Sequence, residues 1–232
     1  MLEELSLFFP CLNEEANVET VIREALRAAP QAARRFEVII VDDGSTDQTA
    51  AIAARFEASG VRLVRHDHRQ GYGAALRSGL HAARYDWIFF SDGDGQFDLS
   101  ELPRLAELAS RADIISGYRA HRADSRHRIL NARLFELALR AVFGLKVLDV
   151  NCAFKLFRRR IFDDMELTSS GAMINAEIFL KARKRGYTTA FLPVGHRPRK
   201  AGNQTGAHPK VIFRAMREFW SLWQEIRTSS HA

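Results

Sequence analysis

The sequence DWIFFSDGDGQFD occupies residues 86–98, and its character changes at Ser91. The part before Ser91 is almost continuously apolar, which is typical of a strand buried on both faces of a parallel sheet. Asp92 and Asp94 follow, separated by one glycine. Two carboxylates this close repel each other unless a cation joins them. Because Mg²⁺ and Mn²⁺ prefer oxygen ligands and leave positions for phosphates, the segment predicts a divalent metal site on Asp92 and Asp94.

The segment has two other interpretations. A turn in which aspartate and glycine supply only backbone geometry remains an alternative. An EF-hand is excluded, because counting from Asp92 places Phe97 where the invariant glycine belongs and Pro103 where the bidentate glutamate belongs.

Apolar runs and helical segments alternate through the first half of the chain. The runs predict strands at 5–9, 36–41, 61–66, 86–91 and 113–117, with helices at 14–29, 46–58, 71–83 and from Ser100 onward. Such alternation predicts βαβ units, hence an α/β fold with a mostly parallel sheet. Ligands of these sheets bind beyond the carboxyl ends of the strands. We therefore expect the site to be built from segments 10–15, 42–47, 66–73, 91–98 and 117–122.

The second half is less regular. We expect amphipathic helices at 127–143 and 209–227, a strand at 151–157, a helix at 173–184 and an edge or antiparallel strand at 188–194. For the caps, Asn13 is predicted to begin the first helix, and Ser45 or Thr46 the second.

Composition excludes several classes of protein. The 232 residues are 47% apolar and 27% charged, which is near the globular average and rules out disordered, collagenous and disulfide-scaffold chains. Cys11 and Cys152 are too few for a disulfide framework or a four-cysteine zinc site, so we expect a reducing cytoplasm. No apolar stretch reaches the length of a membrane span. The acidic start of the chain, interrupted by Pro10, does not resemble a signal peptide.

The net charge of +6 is unevenly distributed. Residues 195–217 contain six Lys or Arg and no acidic residue, and residues 119–140 contain six arginines against two acidic residues. Such patches suit phosphates, nucleic acid or anionic lipid, and a solvated basic face is the alternative. We see no nucleic-acid-binding motif and expect no nucleic-acid partner.

Two further motifs follow predicted strands. VDDGSTDQT (41–49) places Asp42 where a carboxylate can accept hydrogen bonds from a base or ribose, although a plain βα turn explains it too. GYGAALRSG (71–79) lacks the dinucleotide fingerprint, because Leu76 stands where Gly or Ala is needed. We expect its glycines to serve close packing of helix on sheet.

Taken in order, FFPCLNEEANV, VDDGSTDQT, GYGAALRSG and SDGDGQFD resemble the motifs of family 2 glycosyltransferases, which have the GT-A fold. The match continues through GYR (117–119), DVNCAFKLFRR (149–159) and GAMINAEIFLKARKRGY (171–187). Within the family the chain is most similar to the polyprenyl-phosphate (dolichyl-phosphate) sugar synthases, in a form without membrane helices. The resemblance implies one domain over 1–232, with a nucleotide-binding half (1–118) and an acceptor-binding half (119–232).

The resemblance also assigns roles to residues. It implies that the nucleotide pocket is lined by Pro10, Asn13, Glu15, Asp42 and Asp92. It implies that Asp92 and Asp94 hold the Mg²⁺ or Mn²⁺ that bridges the diphosphate, with Gln96 beside them. Arg119 would contact a phosphate of donor or acceptor, with Arg122 or Arg126 as its partner. In the basic loop, Arg197, Arg199 and Lys200 are candidates for closing over a diphosphate. Asp94, Arg119 and Glu177 are the predicted catalytic residues.

The class of acceptor is inferred from a missing acidic residue in the segment 175–177. Many members that glycosylate hydroxyls carry an acidic doublet where this chain has Asn175–Ala176–Glu177, which leaves Glu177 as the only acid. A hydroxyl acceptor needs a general base, here Glu177 or Asp98, whereas a phosphate monoester is already a dianion at neutral pH. The lack of a second acid thus favours a phosphate acceptor, and the resemblance implies inverting transfer from a UDP- or GDP-linked sugar to a polyprenyl phosphate.

Two other functions are compatible with the sequence, and a third is not. A family 2 transferase with a hydroxyl acceptor and a non-catalytic module that binds nucleotide sugars remain alternatives. A sugar-nucleotide pyrophosphorylase is excluded, since PCLNEE replaces its glycine-rich loop. The amphipathic helices at 127–143 and 209–227 mix arginine with large apolar residues, so they fit a membrane interface or the core. We expect a cytoplasmic protein that is peripheral on the inner face of the membrane.

Overall fold

The computed structural model of the chain describes residues 1–120, 126–198 and 209–228. The strands are β1 (Leu2–Cys11), β2 (Ala33–Asp42), β3 (Val61–Arg65), β4 (Trp87–Ser91), β5 (Ile114–Arg119), β6 (Phe154–Arg158) and β7 (Thr189–Val194). The helices are α1 (Val18–Ala32), α2 (Thr49–Ala54), α3 (Tyr72–Ala82), α4 (Leu102–Glu107), α5 (Arg126–Phe143), α6 (Met173–Lys184) and α7 (Pro209–Thr228).

All seven of these strands belong to one sheet, in the order β3-β2-β1-β4-β6-β5-β7. Within the described ranges β6 alone runs antiparallel, between β4 and β5, with Ser91 opposite Phe154. The carboxyl ends of the other strands therefore meet at one edge, and the amino end of β6 joins them there. This edge is where polar loops gather, as expected for a mostly parallel sheet.

The centre of the sheet is an aromatic core. Phe8 of β1 stacks on Phe90 of β4 at 5.6 Å between ring centroids, and all atoms of both side chains are buried. Full burial of such a side chain contributes about 1.5–3 kcal/mol. Helix α3 lies directly on this layer at Gly79, where a Cβ would come within 2.2 Å of the Phe8 ring. The prediction that a glycine here serves helix-on-sheet packing is confirmed at Gly79.

The start of α1 differs from the prediction. The helix begins at Val18 rather than Glu14, and Asn13 does not cap it. Asn13 instead has a left-handed backbone with φ of 55°, and its side chain bonds the loop after β2. An asparagine tolerates this conformation better than most residues. Asn13 therefore contacts the loop after β2 instead of capping α1.

The second helix begins later than predicted, and the fourth helical segment begins earlier. Helix α2 spans only Thr49–Ala54, and neither Ser45 nor Thr46 caps it. Asp98, not Ser100, starts the fourth helical segment, since its carboxylate accepts hydrogen bonds from the backbone and hydroxyl of Ser100. A 3-10 turn then leads into α4.

Most of the remaining elements agree closely with the sequence, although β6 begins at Phe154, three residues after the predicted start of its strand. The helix predicted at 173–184 has these bounds in α6, and the one predicted at 127–143 is α5. Strand β7 is an edge strand, as predicted, and it runs parallel to β5.

Candidate active site

The loops after β1 and β2 are joined by side chains from both. The backbone amide of Asn13 donates to Ser45 Oγ at 2.9 Å, and Asn13 Oδ1 accepts from the Thr46 amide at 2.9 Å. Glu15 Oε2 accepts from the Gln48 amide at 3.0 Å. Asn13 and Glu15, both predicted to line a nucleotide pocket, therefore hold the loop that follows Asp42.

Asp42 ends β2 and is completely buried. Its Oδ1 accepts from the Ser45 amide at 3.2 Å. Arg65 Nε lies 3.3 Å from Oδ2 but without hydrogen-bond geometry, so Oδ2 has no hydrogen-bond partner among the described residues. A buried acceptor without a partner is costly. This oxygen is therefore suited to accept a hydrogen bond from a ligand at the strand end.

Asp92 and Asp94 lie in the loop after β4, beside β1. The Gly93 amide donates to the carbonyl of Pro10 at 3.2 Å, which ties the aspartate pair to the loop after β1. Asp94 Oδ1 accepts from the Gln96 amide at 3.1 Å. Asp92 Oδ1 is buried and lacks a hydrogen-bond partner within the ranges the structure describes.

The electrostatics of this pair favour a cation. Burial, together with the charge of Asp94, raises the pKa of Asp92 to about 7, although Lys155, Tyr72 and Arg119 act to lower it. Over the described ranges, no group of three or more His, Cys, Asp or Glu side chains is placed to hold a metal. The protein thus offers two carboxylates. That donor set fits Mg²⁺ or Mn²⁺, which commonly take one or two carboxylates together with water and substrate phosphates.

Arg119 closes the site at the end of β5. Its guanidinium forms a bidentate pair with Asp149, with Nε 2.7 Å from Oδ2 and Nη2 2.8 Å from Oδ1. The sequence prediction made Arg122 or Arg126 the partner. The structure does not describe Arg122, and it describes the backbone but not the side chain of Arg126. The roles of these two arginines therefore stay predictions.

Lys155 is a functional candidate that the sequence prediction missed. It lies on β6, is 1% exposed, and its ammonium group donates to the Cys152 carbonyl and to Asn175 Oδ1. Burial lowers the pKa of this lysine to about 8, with Asp149 and Asp92 among the groups that oppose the shift. The available signal was a lysine inside the apolar run CAFKLF.

Glu177, predicted to be catalytic, is buried and engaged by several hydrogen bonds. It is completely buried on α6, and Oε1 accepts from the Thr168 amide at 2.9 Å and from Lys181 at 2.8 Å. Oε2 accepts from the Ser169 amide at 2.9 Å. Burial raises the pKa of Glu177, but these hydrogen bonds outweigh it and the net pKa is lowered. A carboxylate so fully engaged is suited to fixing the 168–169 loop rather than to accepting a proton.

Gln96 and Arg197 form two hydrogen bonds with each other, one between their backbones and one from the side-chain amide of Gln96. The Arg197 amide donates to the Gln96 carbonyl at 2.7 Å, and Gln96 Nε2 donates to the Arg197 carbonyl at 3.0 Å. The Arg197 guanidinium lies 2.6 Å from Asp98. The loop after β7 is thus fastened to the aspartate loop. Arg199 and Lys200, the other predicted members of this group, lie outside the described residues.

A second polar chain connects β2, β3 and α3. His66 Nδ1 lies 2.8 Å from Asp43 Oδ1, and His66 Nε2 lies 2.9 Å from Ser78 Oγ. In hydrolases with such a trio the serine sits on a sharp turn beside oxyanion donors, whereas Ser78 lies within α3. Asp43 also accepts from the amides of Gln70 and Gly71, so this chain positions the segment that opens α3.

Comparisons with known proteins agree with this geometry. A family model described as Glycosyl transferase family 2 matches residues 6–166. The undecaprenyl-phosphate 4-deoxy-4-formamido-L-arabinose transferase of Pseudomonas aeruginosa (strain LESB58) is 33% identical over 168 residues, covering 71% of this chain and 50% of the relative. The transferase of the same name from Aeromonas hydrophila subsp. hydrophila is 30% identical over 202 residues, covering 85% and 61%. The chain thus spans about half the length of the first of these relatives.

A solved structure supports the fold. Glucosyl-3-phosphoglycerate synthase from Mycobacterium tuberculosis, in complex with Mn²⁺, uridine diphosphate and phosphoglyceric acid, aligns with a TM-score of 0.75 at 22% identity, over 95% of this chain and 78% of that one. The predicted GT-A fold is confirmed at the level of architecture. Since the family model covers most of the chain and its motifs lie at the strand ends described above, the chain belongs to glycosyl transferase family 2.

Proposed function

We propose that the chain is a metal-dependent, inverting glycosyltransferase that moves a sugar from a UDP- or GDP-linked donor to a polyprenyl phosphate at a membrane surface. The observation that carries this proposal is the loop after β4, where Asp92 Oδ1 is buried without a hydrogen-bond partner among the described residues. Beside it, across β1, lies Asp42 with a second such oxygen. The two together suit a donor with a diphosphate and a nucleoside.

Asp92 and Asp94 would hold the divalent metal, which when bound supplies positive charge to the leaving diphosphate. Solved structures of the M. tuberculosis synthase contain Mn²⁺ or Mg²⁺ with uridine diphosphate, which favours the same use here. Asp42 would orient the nucleoside, with Pro10, Asn13 and Glu15 forming the pocket around it. Gln96 would keep Asp94 in place through its backbone amide.

Transfer would be a single in-line displacement at the anomeric carbon. A phosphate oxygen of the acceptor forms the new bond to that carbon as the bond to the nucleoside diphosphate breaks, so the configuration inverts. Arg119, oriented by Asp149, presents its guanidinium to a phosphate of donor or acceptor, and an arginine fork suits phosphate oxygens. Arg122, Arg126, Arg197, Arg199 and Lys200 are proposed to add positive charge around the acceptor.

A phosphate acceptor is favoured over a hydroxyl acceptor by the state of the two acids considered as bases. Glu177 is buried and engaged by its neighbours. Asp98 accepts from Ser100 and pairs with Arg197, and although burial raises its pKa these bonds outweigh it and lower the net pKa. Neither carboxylate is set to take a proton. The relatives' names, which specify undecaprenyl phosphate, point the same way.

The membrane part of the proposal rests on α5 and α7. Leu130, Leu134 and Leu137 form a stripe on α5, and each is more than half exposed. On α7, Met216 and Trp220 are similarly exposed. Phe143 of α5 contacts Phe219 of α7 at 5.0 Å between centroids, so the two helices are neighbours. Arg133 and Arg140 on α5 are exposed and are suited to lipid phosphates.

No helix in the described part of the chain is long and apolar enough to cross a bilayer. We propose peripheral contact of these two helices with the inner, cytoplasmic face of the membrane. Cys11 and Cys152 are both free and buried, which fits a reducing compartment.

A transfer assay tests the proposal. The purified chain is mixed with a polyprenyl phosphate, Mn²⁺ and one labelled UDP- or GDP-sugar at a time, and label is counted in the organic phase. Metal-dependent label that EDTA and Asp94→Asn remove supports the proposal and identifies the donor. Transfer only to a sugar hydroxyl would replace the acceptor. Absence of both transfer and nucleotide binding would favour a non-catalytic module.

A further inference from the structure

The three residues that follow β7, at 195–197, lie along the loop after β4. The Gly195 amide donates to Glu101 Oε1 at 2.7 Å. His196 forms an antiparallel bridge with Phe97, and the centroids of their two rings lie 5.3 Å apart. Phe97 is buried in the hydrophobic core. The 195–197 segment is therefore anchored to the body of the fold and to the aspartate loop at the same time.

The two hydrogen bonds between Arg197 and Gln96 extend this contact to Asp94. The backbone amide and carbonyl of Arg197 both bind Gln96, the first at its carbonyl and the second at its side-chain amide. The backbone amide of Gln96 donates in turn to Asp94 Oδ1 at 3.1 Å. Gln96 is buried, so it is held between the 195–197 segment and the Asp94 carboxylate. A displacement of Arg197 would therefore move the amide that orients Asp94.

The side chain of Arg197 holds its backbone in this position from two directions. Its Nη2 lies 2.6 Å from Asp98 Oδ2, and its Nη1 lies 3.4 Å from Oε1 of Glu24 on α1. The other oxygen of Asp98, Oδ1, accepts from the amide and the hydroxyl of Ser100. Hydrogen bonds between ionised partners are stronger than neutral ones. The two oxygens of Asp98 thus have separate tasks, one at the turn that follows it and one at Arg197.

We propose that Arg197 and Asp98 are positioning residues that, through Gln96, hold the Asp94 carboxylate in place for the divalent metal. The inference rests on the proposed function, since it concerns the same metal site. This role is separate from any positive charge that Arg197 lends to the acceptor, because it depends on where the guanidinium is fixed. Mutation of residues that orient a metal ligand typically changes metal affinity about 10–100-fold.

The test measures the Mn²⁺ affinity of the full chain in the presence of UDP, from the electron paramagnetic resonance signal of free Mn²⁺. In Asp98→Asn the amide oxygen can still accept from Ser100, which places the NH₂ group against the Arg197 guanidinium and removes their attraction. We expect Mn²⁺ affinity to fall about tenfold. If Arg197 acted only as a positive charge on the diphosphate, Asp98→Asn would free that charge and leave the affinity unchanged or higher.

Arg197→Gln breaks the same ion pair from its other side, and we expect a similar loss of Mn²⁺ affinity. The double variant with Asp98→Asn should bind Mn²⁺ no more weakly than the weaker single variant, whereas independent effects would add. Arg160→Gln is the matched control. It breaks an arginine–aspartate pair with a nitrogen–oxygen distance of 2.9 Å to Asp113, which precedes β5 at the opposite edge of the sheet. We expect it to leave Mn²⁺ affinity unchanged.

Three results would overturn the inference, and they differ in meaning. If Asp98→Asn and Arg197→Gln both bind Mn²⁺ like the wild type while Asp94→Asn does not bind, the positioning role fails and the proposed metal site stands. If only Arg197→Gln binds more weakly, Arg197 acts through its charge and not through its position. If the wild-type chain itself does not bind Mn²⁺ with UDP, the inference and the proposed function both fail.

Thermal unfolding reports whether each variant folds. Should Asp98→Asn not fold, Arg197→Lys decides, because it keeps the positive charge while a lysine ammonium lacks the planar fork that spans Asp98 and Glu24. We then expect Arg197→Lys to bind Mn²⁺ more weakly than the wild type. Wild-type affinity in this variant would overturn the positioning role. A loss of thermal stability with unchanged Mn²⁺ affinity in every variant would mean that the ion pair only stabilises the fold.

Discussion

Asp149 binds Arg119, thirty residues before it in the chain. Both carboxylate oxygens of Asp149 accept hydrogen bonds from the guanidinium, and Oδ2 also accepts one from the Arg119 backbone amide at 3.1 Å. Both side chains are largely buried, at 12% and 9% exposure. Asp149 has a left-handed backbone with φ of 48°, which aspartate tolerates better than most residues. The arginine at the end of β5 is therefore held rigidly before any phosphate arrives.

Asp149→Asn keeps the shape and the tolerance of the left-handed backbone but removes the charge that holds Arg119. We expect a loss of about 1.5–3 kcal/mol in the free energy of unfolding, the range for hydrogen bonds to charged groups. We also expect the transfer rate to fall at least about tenfold, since the guanidinium is no longer fixed. Urea unfolding and the transfer assay measure the two effects. Asp163→Asn, at an exposed position, should stay within about 0.5 kcal/mol; equal losses in both variants would contradict the assignment.

Metal affinity should depend on pH through Asp92. Its pKa is raised to about 7 by burial and by Asp94, and a carboxylate must lose its proton to bind a metal. Below about pH 7, Mn²⁺ affinity should therefore fall by up to about tenfold per pH unit, one proton being released. Calorimetric titration with Mn²⁺ and UDP at several pH values measures this. A pH-independent affinity between pH 5 and 8 would show that Asp92 is not a ligand.

The same shift predicts a stability effect in the metal-free protein. A carboxyl whose folded pKa is raised binds more protons in the folded state than in the unfolded state between about pH 4 and 7, so stability falls as pH rises through that range. Asp92→Asn removes this loss, and we expect its melting temperature without metal at pH 8 to exceed that of the wild type. Each 1 kcal/mol gained corresponds to about 2–4 °C. Calorimetry with EDTA measures it, and a lower melting temperature would contradict the prediction.

Glu177→Gln should affect stability and spare the chemistry. Glutamine places an amide NH₂ against a backbone donor at Thr168 or Ser169, so we expect a loss of about 1–3 kcal/mol at pH 7. The pKa of Glu177 is lowered in the fold because its hydrogen bonds outweigh burial, so its contribution exists above its unfolded pKa and disappears as pH falls. The difference from the wild type should therefore shrink in acid.

Transfer rate against pH is the second measurement on Glu177→Gln. The profile should keep its shape, and Glu166→Gln, at an exposed position of the same loop region, is the control for stability. If the variant lost the acidic limb of the pH profile, which reflects ionisation of a catalytic base, Glu177 would be that base. Such a result would favour a hydroxyl acceptor.

Leu134→Gln combined with Leu137→Gln should weaken binding to lipid vesicles without weakening the fold. Both side chains are more than half exposed, so they contribute little to the core. Burial of a leucine is worth about 1.5–3 kcal/mol, so losing two should reduce vesicle binding by at least about tenfold. Sedimentation with vesicles of phosphatidylglycerol and phosphatidylcholine measures it.

The contribution of charge to membrane binding is tested by comparing two double variants that each remove two arginines. Arg133→Gln with Arg140→Gln should reduce binding to phosphatidylglycerol vesicles, and more so at low salt. Arg27→Gln with Arg55→Gln changes the net charge equally at exposed positions on α1 and just after α2. If both pairs reduce binding equally, the attraction is a property of net charge and not of α5.

The sequence by itself determined the alternation of strands and helices and the position of Asp42, Asp92 and Asp94 at strand ends. Apolar periodicity and glycine-containing turns act over a few residues, and in a parallel sheet the ends of the strands must meet at one edge. The family motifs added the expected order of loops around a nucleotide. For these features, local pattern and tertiary structure agree.

Only the tertiary structure decided which distant side chains meet. The antiparallel insertion of β6 between β4 and β5 brings Asp149 to Arg119 and Lys155 to the neighbourhood of Asp92. Asn13 holds the loop after β2 rather than capping a helix, and Glu177 is buried under the 168–169 loop. No local period encodes such contacts, because they arise from strand order and from the need of each buried polar group to find a partner. The partners of these buried polar groups lie on neighbouring strands and loops rather than nearby in the chain, and these contacts form the site.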